Sequence, residues 1–137
     1  MKKSLCLLRV AMGWMYLYAG LSKIVDPQWS AAGYLSSAKT FPGLYQWFAG
    51  PANIGWVNLV NEWGLALIGL ALILGFYTRY AALAGIMIML LYYFPVLQFP
   101  YAGEHSFIVD EHIIYAGALF VLMSSGAGKY WGLDSRR

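Results

Sequence analysis

Polar positions are sparse along this chain, and long apolar runs separate them. Four stretches, at about 5–25, 56–76, 81–99 and 108–124, have the length and apolarity of membrane-spanning helices. Asp26-Pro27 ends the first, because the residue before a proline is pushed out of helical geometry. The connection Tyr77-Thr78-Arg79-Tyr80 is short, so the second and third spans are expected to be antiparallel neighbours. Pro95 and Pro100 mark the end of the third span, and Gly126-Ala127-Gly128 closes the fourth.

The stretch 26–55 fits neither a span nor a free loop. Trp29, Tyr34, Leu35, Phe41, Tyr45, Trp47 and Phe48 make it too apolar to float in water, while Pro42, Gly43, Gly50 and Pro51 break it too often to cross a bilayer. One or two short interfacial helices against the bundle are the expectation. The pattern therefore predicts an all-α integral membrane four-helix bundle, one domain over residues 1–137, with a short interfacial helical segment between spans one and two. Within it, Arg9, Gly13, Tyr16, Gly20 and Lys23 recur at 4-3-4-3 spacing and so share one helix face; Asn58, Asn61, Glu62, Leu65 and Gly69 share another. Glycines on such faces let helices approach where lipid gives no hydrophobic drive between them.

Composition supports a lipid solvent. The chain is 61% hydrophobic and 11% charged, with mean hydropathy +0.58, too few charges to cover a water-soluble domain of this size. Of the six Trp and eleven Tyr, many sit at span ends, as an interfacial belt requires. The net charge of +3 is scattered with no basic stripe, which argues against nucleic acid as a partner. Seven of the nine Lys and Arg residues (Lys2, Lys3, Arg9, Arg79, Lys129, Arg136 and Arg137) fall on one side, and Lys23 and Lys39 on the other. The positive-inside rule then places the protein in the cytoplasmic (inner) membrane with both termini cytoplasmic and the 26–55 and 100–110 connections outside. Arg9 interrupts the first apolar run and no small-residue cleavage site follows, so a cleaved signal peptide is not expected.

The few ionisable and amide groups in or near the spans are the candidate chemistry. A charge in hydrocarbon costs at least about 2.5–3.5 kcal/mol on insertion scales. Lys23 ends span one, Asn58, Asn61 and Glu62 open span two, and His112 opens span four, so all lie toward the outer face. Glu62 needs a cation or hydrogen bonds, and Lys23 is the nearest candidate; Asn58, one turn earlier, is placed to orient it. Glu62 and His112 are expected to exchange protons and Lys23 to stabilise negative charge, with Asn58, Asn61 and Arg9 as binding residues. The bland alternative is that the same groups hold the bundle in register. Asp110 and Glu111 suit a helix N-terminus whatever their role, and His105 reads as a solvated loop residue.

One cysteine, Cys6, excludes an intramolecular disulfide or a CxxC pair. No metal, haem or flavin site is recognisable: His105 and His112 lie near carboxylates, but half of that cluster is loop, and only His112 is inside a span.

The segments LRVAMGWMYLYAGLSKIVDP (8–27), NEWGLALIGLALILGFYTRYAALAGI (61–86) and EHIIYAGALFVLMSSGAGKYWGLD (111–134) together resemble the DoxX family. GAGKYWGLD and the Glu62–Arg79 spacing are similar to its DoxD branch, the small subunit of thiosulfate:quinone oxidoreductase. The matching positions are Arg9, Gly20, Lys23, Glu62, Gly75, Arg79, His112, Gly126, Gly128 and Asp134. The resemblance implies a four-helix membrane subunit that works with a partner protein and, in some members, passes electrons from a reduced sulfur compound to quinone. Three functions follow as expectations: a quinone-linked oxidoreductase subunit, a non-catalytic anchor or scaffold for a redox partner, or small-solute transport by a homo-oligomer.

Overall fold

A computed structural model describes residues 1–136, and Arg137 lies outside the described residues. Six helices and one hairpin follow in order: α1 (Lys2–Ile24), α2 (Ala32–Ser36), α3 (Pro42–Ala49), α4 (Ile54–Leu74), α5 (Thr78–Val96), β1 (Tyr101–Gly103), β2 (Ser106–Phe107) and α6 (Glu111–Ser124). Two 3₁₀ turns, Ala127–Lys129 and Leu133–Arg136, finish the chain's described part. The architecture is the all-α bundle that the apolar runs predict.

α1, α4 and α5 are long and apolar enough to cross a membrane. α6 has 14 residues, about 21 Å of helix against a hydrocarbon core of about 30 Å. The apolar run there began at 108, but β2 holds Ser106 and Phe107, and the Asp110 carboxylate caps the backbone amides of His112 and Ile113 at 3.0 and 3.3 Å, so the helix starts three residues later. The exposed apolar side chains Phe107, Ile108 and Val109 extend the apolar length at that end. α5 likewise stops at Val96 rather than 99.

The packed interior holds Met12, Tyr16, Leu65, Leu72, Ala82, Leu119 and Leu122. The outside is as apolar as the inside: Leu7, Trp14, Leu67, Leu83 and Phe120 are all exposed. Such a surface needs lipid around it.

α1 packs on α4 at backbone distance. A methyl group placed on Gly20 would fall 2.4 Å from the Ala66 nitrogen, and one on Gly69 would fall 2.2 Å from the Leu17 nitrogen. Arg9, Gly13, Tyr16 and Gly20 are all buried, so the face read from the 4-3-4-3 spacing is the face that packs. Tyr16 crosses the interior and donates to the Gly85 carbonyl of α5 at 2.8 Å.

α2 and α3 form a lid on α5, and Pro95 explains where. A proline has no N–H, so it leaves the carbonyl four residues earlier without its helical donor. The Tyr45 hydroxyl of α3 donates to that carbonyl, Leu91 O, at 2.8 Å. Nearby, the Lys39 amide donates to Pro95 O at 3.0 Å, the Tyr34 hydroxyl to Tyr92 O, and the Thr40 hydroxyl to Leu97 O. The broken end of α5 thus becomes the lid's anchor.

At the opposite end, the α4–α5 turn and the last residues lock together. Gly75 takes φ +66° as it leaves α4, a left-handed conformation that favours glycine. The Asp134 carboxylate accepts the Tyr77 and Thr78 amides at 2.7 and 2.9 Å, capping α5 from another part of the chain.

Candidate functional site

The end of α1, the lid, the start of α4 and the start of α6 line an open chamber of about 450 Å³ beside the broken end of α5. Its polar wall consists of Lys23, Ser30, Tyr34, Asn61, Tyr92 and His112, with Glu111 at the rim, and Trp29 adds an aromatic face.

His112 is held by a carboxylate. Its Nδ1 lies 2.8 Å from Asp110 Oδ2, while Asp110 Oδ1 takes the backbone amides of the first helical turn. One carboxylate therefore caps α6 and fixes the imidazole. A carboxylate on Nδ1 holds the proton there and leaves Nε2 as the free proton-accepting position of the neutral ring. The imidazole stands edge-on to the Tyr92 ring, with centroids 6.2 Å apart.

Tyr92 joins the helices. Its hydroxyl donates to the Asn61 side-chain oxygen, and Asn61 Nδ2 donates back into its own helix at Val57 O, 2.8 Å away. Tyr34 stacks edge-on against Tyr92 from the lid, at 6.3 Å between centroids. Burial, reinforced by nearby Tyr45 and Asp110, pushes the Tyr34 phenol up to about 12, so it remains a neutral donor at physiological pH.

Lys23, Asn61 and His112 come together in this chamber. Three other expectations are corrected by the geometry. Lys23 does not pair with Glu62: its Nζ donates to Ala19 O of its own helix at 3.3 Å and sits 5.4 Å over the Trp29 ring. Gly20 presses α1 directly on the Glu62 backbone, and Lys23, one turn further on, leans toward the lid. The Glu62 carboxylate has no hydrogen bond or ion pair among the described residues and does not line the chamber. Asn58 orients the lid instead of Glu62, accepting the Ala31 amide at 2.9 Å and donating to the Ser30 hydroxyl at 3.2 Å. Arg9 sits about 21 Å from Lys23 along α1, fourteen residues at 1.5 Å each. Its buried guanidinium is engaged by the carbonyls of Ala127, Tyr130 and Trp131 at 2.9–3.3 Å, so it binds the chain's own last turns.

Tyr92, Tyr34 and Trp29 are chamber groups that the search for charges passed over, and Asp110, read from sequence as a helix N-terminal residue, also holds His112. Tyr92 carried a signal: the Tyr92-Tyr93 pair just before Pro95 is the only cluster of polar-tipped residues in an otherwise apolar span. His105 occupies the exposed hairpin turn and does not line the chamber, and among the described residues no three His, Cys, Asp or Glu side chains gather.

Fold and chamber define a helical membrane protein with a polar, aromatic-walled site near one end of its bundle. Residues 4–97 match the family model of DoxX, and the chain belongs to the DoxX family. No curated protein and no solved structure matches the chain.

Proposed function

We propose that the chain is a membrane subunit of a quinone-linked oxidoreductase and that the chamber takes the quinone head group. The observation that carries this reading is the Asp110-fixed His112 on a chamber walled by Tyr92, Tyr34 and Trp29. A quinone head is a flat ring with two carbonyl oxygens, and it needs aromatic faces, hydrogen-bond donors and a proton-exchanging group at hydrogen-bond distance. When bound, quinone supplies two-electron acceptance; the electrons come from a partner protein, in the narrower form from a reduced sulfur compound at the outer face. Tyr34 keeps its hydroxyl on Tyr92 O and offers its ring, Asn61 and Tyr92 fix the inner wall, and His112 accepts the proton at Nε2. The Lys23 ammonium lies on the same wall and favours negative charge on an oxygen.

Lys2, Arg9, Arg79 and Lys129 lie at the other end of the bundle, around the last turns and the α4–α5 turn. That supports an orientation with the termini cytoplasmic and the chamber toward the outer face of an inner membrane. The test is extraction of the purified protein for bound quinone by mass spectrometry. Wild type and Glu62→Gln are expected to retain quinone in stoichiometric amount, since Glu62 is not on the chamber wall, and His112→Ala to lose it while staying folded. An equally folded wild type without quinone would leave a scaffold for a redox partner as the better reading.

A further inference from the structure

We infer that a basic recess at the other end of the bundle, between the start of α5 and the end of α6, binds the phosphate of an anionic membrane lipid. The inference rests on that end alone and is independent of the quinone reading of the chamber.

The recess, of about 370 Å³, is closed on its third side by the 3₁₀ turn Ala127–Lys129. Arg79 and Lys129 stand on its wall from two separate parts of the chain. Neither side chain forms a hydrogen bond or ion pair among the described residues. Two cations sharing one recess repel each other, and an anion between them turns that repulsion into attraction. Asp134, the acid on the same wall, is committed to the helix cap: its oxygens accept the Tyr77 and Thr78 amides at 2.7 and 2.9 Å. The wall keeps a net positive charge.

A second observation points to the same ligand. Thr78, on the floor of the recess, is 2% exposed, and its Oγ1 has no hydrogen-bond partner. A buried hydroxyl left in that state costs stability, and a phosphate oxygen supplies the missing acceptor. Gly128 keeps the floor clear, since a methyl there would fall 2.3 Å from Thr78 Oγ1.

Depth selects a lipid as the source of the phosphate. Arg79 opens α5 and Ser124 ends α6 at the recess, whereas one turn deeper the exposed side chains are apolar: Leu83 on α5, Phe120 and Val121 on α6. Tyr77 and Tyr80 line the recess and are exposed, as aromatic residues are at a membrane interface. The recess therefore lies where hydrocarbon gives way to head groups, a level at which basic pockets between helices hold anionic lipids.

The experiment uses the full chain in mild detergent at fixed ionic strength. The probes are phosphatidylglycerol, phosphatidylcholine with the same acyl chains, and inorganic phosphate. Native mass spectrometry measures lipid binding, and the thermal midpoint reports any bound probe independently. The wild type is expected to bind one phosphatidylglycerol about thirtyfold more tightly than phosphatidylcholine, each of two cations contributing about fivefold. Arg79→Gln/Lys129→Gln should cut that preference to about threefold or less. Lys3→Gln/Arg136→Gln removes the same charge from exposed positions outside the recess and should leave the preference within about twofold of wild type. Thr78→Val keeps the shape of the floor and removes the hydroxyl; it should weaken phosphatidylglycerol binding at least about threefold without lowering the lipid-free thermal midpoint. Equal affinities for the two lipids in the wild type, or equal losses in the two double variants, would overturn the site and leave diffuse attraction between basic residues and an anionic surface. Inorganic phosphate that raises the midpoint as much as phosphatidylglycerol at equal concentration would overturn the lipid as the source.

Discussion

At the residue scale, Asp110 explains why His112 can have a function. The carboxylate spends one oxygen on the helix amides and the other on the imidazole. Replacement by Asn keeps the cap, since Asn is as good an N-cap as Asp, but an amide holds the ring less firmly. Asp110→Asn is therefore expected to change unfolding stability by less than about 1 kcal/mol while weakening quinone binding about tenfold. Nitrogen NMR of labelled histidine would show the second tautomer of His112 growing in. A stability loss with unchanged binding and tautomer would reduce Asp110 to a cap. Charge alone pointed to Glu62 as the principal acid. Chemistry in this site depends less on charge than on which group faces the cavity, and one residue of helix rotation separates Asn61 on the wall from Glu62 off it.

Among elements, the α1–α4 seam and the lid behave oppositely. The seam is rigid because backbones touch at Gly20 and Gly69. Gly20→Val has nowhere to put its side chain, and a loss of about 3 kcal/mol or failure to assemble is expected, measured as unfolding in mixed detergent. Gly117→Ala is the control: nothing lies within 4 Å of the added methyl, so stability is expected to be unchanged or slightly higher. The lid depends on hydroxyls. An ordinary phenol ionises near pH 10, whereas Tyr34 does so only at about 12. The unfolded chain therefore loses this proton first as pH rises, and stability falls from about pH 10 upward. Tyr34→Phe should have a shallower alkaline decline in thermal midpoint than wild type; an identical decline would show that Tyr34 does not couple lid and titration. These elements differ in how far the sequence revealed them. Gly13, Gly20 and Tyr16 announce the seam by spacing alone. The hairpin at Tyr101–Phe107 lies in the expected outer connection but depends on strand pairing that the pattern does not show, and the late start of α6 depends on capping by Asp110 within a run whose apolar character looked like span. The lid's position depends on Tyr45 finding the one carbonyl that Pro95 leaves open, a tertiary match that no local pattern contains.

For the whole molecule, the two ends have different physics. The chamber end combines the Lys23 ammonium, an imidazole–carboxylate pair and aromatic rings; the other end is held by the buried Arg9 guanidinium. Arg9 ties α1 to the last turns through three carbonyls, and Asp134 ties those turns to α5. Positions by which the sequence resembles its family (Arg9, Gly75 and Asp134) thus meet in a clasp far from the chamber. Gly75 and Gly132 approach the guanidinium so closely that a methyl on either would fall 2.5 Å from Arg9 Nη1. Arg9→Met keeps the apolar stem and removes the donors from the part-buried Tyr130 and Trp131 carbonyls, while Ala127 O keeps only the Tyr130 amide. Each such loss costs about 1–3 kcal/mol, so the variant is expected to lose roughly 3 kcal/mol or more and to expose the segment after α6 to protease. Because the chamber lies about 21 Å away along α1, quinone content per folded molecule is expected to match wild type. A variant that stays protease-resistant but loses quinone would return Arg9 to the ligand site; one that is clipped after α6 yet keeps its quinone separates the clasp from the chemistry.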